Sequence, residues 1–313
     1  MATRSEALAA TQNVAQFASA YASDTIAQSI MQDAYFLTGQ PIKTGLNYQY
    51  AQFDRGDGVT IPDTRAVGND PYGTTLSFGG TIVPGSLKPH RCATDWYDVS
   101  ANVTDQDILL QLQGGVRLAT QAIVTGRFKR ILDAASAAAG AAADTIVSAS
   151  DEAVAKIQAV VQTVNKAAGG YANINILFGS DAFRLFSNAA KVQGRITGGA
   201  TKAIPSTPTE QDVARLIGYG VNVKVTNAVY NSAAVGQTVT NSYLLGSSIY
   251  IAAVSAAPNT QDASALKFFE GYGSFSLTPQ FVSSQTGLER ASWSWYEDIA
   301  ATNSAAIKLV TIS

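Results

Sequence analysis

His90 and Cys92 are the chain's only histidine and only cysteine, and they stand two residues apart. A structural zinc site needs four ligands, so this pair would have to recruit carboxylates to complete one. The competing reading is a pair of loop residues beside the helix that follows. A Ser-His-Asp triad could use only His90, and no G-x-S-x-G elbow accompanies it. Asp105 with Asp107, and Glu297 with Asp298, could be carboxylate pairs for acid–base work. The first pair opens an expected helix, where acidic groups stabilise the dipole. The second ends an expected strand, and nothing convergent is expected around either pair. Glycines at 198–199, 218–220 and 271–273 could line a phosphate loop. No G-x-x-x-x-G-K-[ST] or G-x-G-x-x-G is present in strand-to-helix context, which leaves turns as their use. Arg55-Gly56-Asp57 spells an attachment tripeptide inside a turn. Trp293 and Trp295 could stack on a sugar, but at period two on a strand they are expected to fill a core. No catalytic set, cofactor site or metal site is therefore expected.

Composition points toward protein partners. The chain has 313 residues, of which 46% are hydrophobic but only 14% charged, with net charge −2. Ordinary domains carry about a quarter charged residues, so this surface has weak electrostatic protection against association. The isoelectric point near 5.4 and the lack of a Lys/Arg cluster argue against specific nucleic-acid binding, which rests on counterion release. A near-neutral wall facing nucleic acid non-specifically stays open. Residues 1–20 lack the basic start and apolar core of a signal peptide. No run approaches the eighteen or so apolar residues of a membrane span. The Asn102-Val103-Thr104 sequon thus has no secretory context, and synthesis in a cytoplasm is expected.

These residues must be carried by a recognisable series of elements. Ser5–Leu37 reads as a helix with a thin, Ala-rich stripe (Leu8, Val14, Phe17, Tyr21, Ile26, Ile30), more like an arm laid on a partner than a core helix; Gly39-Gln40-Pro41 stops it. Asn47–Ser86 holds seven Gly and three Pro around short strand-like runs (48–50, 59–61, 74–83), with turn signals at Asp57-Gly58 and 69–73. It reads as a long, irregular β-hairpin with too few large apolar residues to build its own core, so it needs a surface to lie on, and a neighbouring subunit is the candidate. Thr104–Ala139 is the strongest helix signal: Ile108, Leu112, Val116, Ala119, Ile123, Phe128, Ile131 and Ala135 keep helical spacing, and Gly140 suits C′. Such a helix would run roughly 50 Å, with Gly114-Gly115 and Gly126 as weak points. Ser150–Ala168 is a second helix, capped by Ser150 and ended by Gly169-Gly170. A strand follows at 173–178, a short helix from Ser180 to Phe186, and a Gly/Thr/Pro-rich loop from Gly194 to Pro208. Thr209 caps a helix to Ile217; strands follow at 221–225 and 243–254. From Leu266 the chain is mostly strand, the last at Ile307–Ile312.

Three stretches in this order resemble the major capsid proteins of tailed bacteriophages, the family sharing the Hong Kong-97 capsid fold. Gly80-Thr81-Ile82-Val83, through Leu87–Ala93 and Tyr97–Ser100 into the helix from Thr104, resembles the family's extended loop returning to its long spine helix. Asn175-Ile176-Leu177-Phe178-Gly179-Ser180-Asp181-Ala182-Phe183-Arg184-Leu185-Phe186 is similar to the strand, turn and short helix of its axial domain. Lys267-Phe268-Phe269-Glu270 to Trp293-Ser294-Trp295-Tyr296-Glu297 resembles its late return strands. The resemblance covers about Leu76–Ser313 and implies an α+β chain: N-terminal arm (1–46), extended β-loop (47–95), peripheral domain with spine helix (96–148), inserted axial domain (149–262) and return strands (263–313).

The function it implies is an icosahedral virion shell around double-stranded phage DNA, made in the host bacterial cytoplasm. The implied partners are other copies in hexamers and pentamers, a separate scaffolding protein, a portal, and packaged DNA contacted non-specifically. Phe17 and Tyr21 on the arm, and Phe53, Asp54, Arg55, Asp57, Arg65, Leu76 and Phe78 on the hairpin, are the expected assembly contacts. Some members carry a long helical scaffolding segment that is cleaved off; the short stretch before the hairpin sets the expectation against one here. A Lys–Asn cross-link also occurs in the family, and no local motif assigns such a pair. An encapsulin-like compartment on the same fold, and an α/β enzyme with appended loops, are the alternatives.

Overall fold

The computed structural model describes residues 25–52, 81–95, 105–147, 152–170, 173–196, 208–233, 237–273, 280–283 and 289–313. Helices and strands are mixed along the chain in an α+β arrangement. After the first helix, α1 (Thr25–Tyr35), comes a second, α2 (Asp105–Ala139), of 35 residues. Val116, Ala119, Ile123, Phe128, Ile131 and Ala135 are all buried on it, at the spacing the sequence showed. Gly140 follows with φ +67°, a left-handed turn that glycine adopts without strain, and its N–H reaches the Ser136 carbonyl at 3.0 Å.

The arm reading fails for the described part of the first helix. Ala27, Ala34 and Leu37 are fully buried, and α1 packs along α2. Its small alanines let two backbones approach closely, so this Ala-rich stripe is a packing face rather than a partner-seeking one. Residues 1–24 lie outside the described residues.

One sheet combines β1 (Ile42–Thr44), β4 (Lys88–Asp95), β11 (Leu266–Gly271), β12 (Gln280–Ser283) and β13 (Glu289–Ala301). The long strand β13 holds it together, pairing with β11 and β12 along one edge and β4 along the other. His90 and Cys92 therefore sit on a strand, not in a loop, opposite Trp295 and Trp293. Glu297 and Asp298 lie within β13 rather than at its end. Both tryptophans are buried, as their period-two spacing required.

Side chains alternate across this sheet. Phe268 and Glu270 turn toward α2, while Phe269 turns the other way and stacks on Tyr48 with ring centroids 4.1 Å apart. Tyr48 belongs to the base of the predicted hairpin, β2 (Asn47–Gln52) paired with β3 (Thr81–Ser86). Its hydroxyl donates to Asp298 Oδ2 at 2.6 Å, and Ala51 N–H donates to the Thr260 carbonyl at 2.9 Å. The hairpin is thus rooted on its own chain; residues 53–80 lie outside the described residues.

The second sheet has the order β5 (Asp144–Ile146), β14 (Ile307–Ile312), β10 (Ser248–Val254), β6 (Asn173–Gly179), β7 (Asn222–Thr226). Pairing β14 with β10 and β5 splits the 263–313 segment between the two sheets. The reason is burial: Val310 and Ile312 fit the apolar face shared with Ile251 and Ile176, and Ile307, on the other face, is buried as well. Helices α3 (Ala153–Ala167), α4 (Ser180–Asn188), α5 (Ala190–Ile196) and α6 (Glu210–Ile217) cover the sheet. Phe128 and Ile131 of α2 join the same core.

Several local expectations were refined. Ser150 lies outside the described residues, and α3 is preceded by Glu152, whose side chain makes no cap bond. That carboxylate instead meets Arg195 at 3.1 Å and Lys191 at 3.5 Å. Helix α5 occupies the start of the stretch expected as loop from Gly194. The strand expected over 243–254 begins only at Ser248; Tyr243 ends a separate two-stranded ribbon, β8 (Val229–Asn231) with β9 (Asn241–Tyr243). Thr209 caps α6 as expected, with a full capping box to Asp212. Gly179, between β6 and α4, passes so close to the Leu245 and Gly246 carbonyls that a Cβ there would collide with backbone.

Candidate functional site

The most concentrated chemistry in the described residues lies where α2 crosses the first sheet. Two sheet strands present carboxylates, Glu270 from β11 and Glu297 from β13, and these are direct cross-strand partners. Both are almost wholly buried. Two like charges facing each other in a dry place are unfavourable alone. The helix answers them with Arg127, itself fully buried: its Nη2 donates to Glu270 Oε1 at 2.9 Å, and its Nε lies 2.7 Å from Glu297 Oε2. The same guanidinium donates from Nη1 to the Tyr35 hydroxyl at 2.8 Å and lies over the Phe268 ring, 4.9 Å from its centre. Three elements (α1, α2 and the sheet) therefore meet at one arginine.

Neighbouring cations complete the set. Arg130, one turn on from Arg127 and one-third exposed, donates from Nε to Glu297 Oε1 at 2.8 Å and also engages that oxygen through Nη2. Lys43, aligned with Glu270 across β1 and β11, pairs with its Oε2. His90 lies at the rim, its Nε2 3.9 Å from Glu297 Oε1 and its ring stacked on Trp295 at 5.7 Å. On the opposite face of the sheet, Lys88 Nζ lies 3.3 Å from Asp298 Oδ1, alongside the Tyr48 bond.

The surroundings tune these groups. Burial is the main cause lowering His90 below its ordinary 6.5, helped by Arg130, Arg127 and Lys88 and opposed by Glu297. Burial likewise raises the Tyr35 phenol, with Arg127 opposing, and raises Tyr48, whose hydrogen bond to the Asp298 carboxylate holds its proton further. Beyond the cluster, Lys267 is fully buried with its ammonium donating to the Asp262 carbonyl at 2.7 Å; burial lowers its pKa to about 8, with Asp262 opposing.

Chemically this is a clasp. Both Glu297 oxygens lie against guanidinium groups, Oε2 at Arg127 and Oε1 at Arg130, so the carboxylate ties the helix to the sheet. Among the described residues no group of three or more His, Cys, Asp or Glu is placed to hold a metal, and no helix is long and apolar enough to cross a membrane.

Of the residues singled out from sequence, the structure brings His90 to Glu297 and leaves Cys92 apart from that pair, at Trp293. Surroundings convergent on Glu297 are thus present, contrary to expectation, but they are cations and not catalytic partners. Phe17, Tyr21, Phe53, Asp54, Arg55, Asp57, Arg65, Leu76 and Phe78 all lie outside the described residues. Sequence reading missed Arg127, Arg130, Glu270 and Lys43. One signal was available: Arg127 falls among the apolar positions Ile123, Phe128 and Ile131 of α2, and a charge on such a face calls for a buried partner.

Comparison with known proteins completes the picture. No protein-family profile matches the chain, and no curated protein sequence does. Solved structures do. A phage-related protein from Bordetella bronchiseptica RB50 is 13% identical, with 96% of each chain covered and a TM-score of 0.61. The capsid of cyanophage P-SCSP1u is 10% identical, covering 89% of this chain and 86% of that one, at TM-score 0.51. A virus-like particle from Pyrococcus furiosus is 11% identical, covering 91% and 98%, at TM-score 0.51. At these identities the likeness establishes the fold. The resemblance to tailed-phage major capsid proteins drawn from the sequence stands at that level.

Proposed function

We propose that this chain is a shell subunit, the major capsid protein of a tailed bacteriophage, whose activity is self-assembly into an icosahedral container for double-stranded DNA. The observation that carries the reading is the near end-to-end fold likeness to a cyanophage capsid and to a virus-like particle, proteins whose assembled states are shells. The charge-poor composition supports it, since a surface with 14% charged residues in the chain is suited to meeting protein.

In this reading the parts are those of the Hong Kong-97 architecture: an N-terminal segment (1–46) whose helix α1 packs on the spine instead of reaching out as an arm, extended β-loop (47–95), peripheral domain with α2 as its spine (96–148), axial domain (149–262) and return strands (263–313), the last strand of which joins the axial sheet. The subunit works with copies of itself in hexamers and pentamers, a separate scaffolding protein, a portal, and DNA held non-specifically along the inner wall. It resides in the virion capsid after synthesis in the bacterial cytoplasm. Phe17, Tyr21, Phe53, Asp54, Arg55, Asp57, Arg65, Leu76 and Phe78 are the proposed contacts between copies. No catalytic step belongs to it.

The test is to purify the full chain, with and without co-expressed scaffolding protein, and measure particle size by light scattering and negative-stain microscopy. Closed shells are expected. A compact monomer under both conditions refutes the reading. Shells carrying one defined enzyme instead of DNA would favour the encapsulin-like alternative.

A further inference from the structure

Glu297 Oε1 is shared. Arg130 of α2 holds it at 2.8 Å through Nε, and His90 of β4 stands 3.9 Å from the same oxygen. The two contacts differ in what they join. Arg130 ties the helix to the sheet, whereas His90 and Glu297 are both on the sheet, on adjacent strands. They also differ in freedom. Arg127 is fully buried and bound on three sides, so it cannot leave; Arg130 is one-third exposed, and its guanidinium can reach water by rotating about its own side chain.

We infer that His90, Glu297 and Arg130 form an acid-sensitive latch between α2 and the first sheet. With neutral imidazole, Glu297 is left to the two arginines and the helix is clasped. A proton on His90 adds a third cation around one carboxylate, beside Arg127 and Arg130. Of the two arginines only Arg130 has access to water, so the like-charge excess is relieved there: Arg130 moves out to solvent and His90 takes its place on Oε1. The link from helix to sheet becomes a link within the sheet, and α2 loses one of its clasps.

Among the described residues, four charged groups act on the imidazole. From β4 it meets Lys88, from β13 Glu297, and from α2 Arg127 and Arg130. Glu270 and Asp298 are committed elsewhere, to Arg127 with Lys43 and to Tyr48 with Lys88. The downward displacement of the His90 titration by burial and by the arginines agrees with this competition. The latch is a property of the single chain and stands whether or not the chain builds shells.

Hydrogen–deuterium exchange of the full chain tests it, at about pH 7.5 and about pH 5, with intrinsic rates corrected and the oligomeric state matched by light scattering. Protection of 115–139 in α2 is expected to fall roughly tenfold relative to α3 in acid. In His90→Gln the relative fall should vanish. In Arg130→Gln protection should be low at both pH values. Tryptophan fluorescence of the unmodified chain gives a readout that needs no variant, because a protonated imidazole stacked on Trp295 quenches it. Its midpoint should lie below 6.5 yet above the carboxylate range near 4. Equal protection of α2 and α3 at both pH values, an unchanged acid response in His90→Gln, or a fluorescence midpoint in the carboxylate range would each overturn the inference.

Discussion

Glu270 and Glu297 face each other across adjacent antiparallel strands, almost fully buried, and a single arginine from a helix lies between them. That cation is the fully buried one that touches both, with Lys43 and Arg130 completing the set from the rim. Its bonds to the carboxylates and to Tyr35 account for an arginine buried in the middle of an apolar face.

Arg127→Met should therefore be far more damaging than its size suggests. It removes the one fully buried partner of both carboxylates, leaving Glu270 to Lys43 and Glu297 to Arg130 at the rim, a loss of roughly 3 kcal/mol. Adding Glu270→Gln and Glu297→Gln to Arg127→Met should recover much of that loss, since the repulsion disappears with the charges. Urea midpoints of the single and triple variants measure both effects; strictly additive losses would contradict the clasp.

Alkaline pH should strengthen the fold through Lys267. Its folded pKa of about 8 lies below the 10.5 of an unfolded chain. Between these values the unfolded state binds more protons, so stability rises with pH by up to roughly 3 kcal/mol. Above pH 10 the raised phenols of Tyr35 and Tyr250 act in the opposite sense, because the unfolded chain then loses protons that the folded one keeps. Thermal melts of the unmodified chain and Lys267→Met, from about pH 7.5 to 9.5, should diverge: rising for the first, flatter for the second.

Ile123→Asp should abolish soluble assembly. Ile123 is buried on α2, and an unpaired carboxylate there costs several kcal/mol, comparable to a domain's whole margin. Normal particles in size-exclusion chromatography from that variant would refute the role given to this helix.

Thr209→Ala should cost about 1 kcal/mol, the usual value of a lost N-cap. The loss should appear as faster exchange in α6, whose first turn depends on the Thr209–Asp212 box. An unchanged α6 would mean that packing of Val213 and Ile217 alone sets its boundary.

What the sequence revealed and what it concealed follow from distance along the chain. The limits of α2, the Thr209 cap and the buried Trp293 and Trp295 were legible because each is written in residues a turn or two apart. The clasp was not, because Arg130 and Glu297 are 167 positions apart and nothing local marks them as partners. Glu297 and Asp298 looked like the end of a strand; only the pairing with β11 shows that the strand continues past them. The first helix was misjudged for a related reason. Alanine is a weak hydrophobic signal, yet Ala27 and Ala34 are fully buried because smallness, not oiliness, is what a close helix crossing needs.

The length of β13 has a consequence for how the chain finds its alignment. A strand that pairs with three others could settle one residue out of step, and each slip would turn its side chains over. Such a slip would turn the buried Trp293 and Trp295 out to the face where Ser294 and Tyr296 are exposed, and would set Asp298, one methylene shorter than Glu297, opposite Arg127. The two tryptophans thus act as an address, legible only when β13 is docked at its proper offset. The misaligned chain is rejected through the aromatic surface it leaves in water.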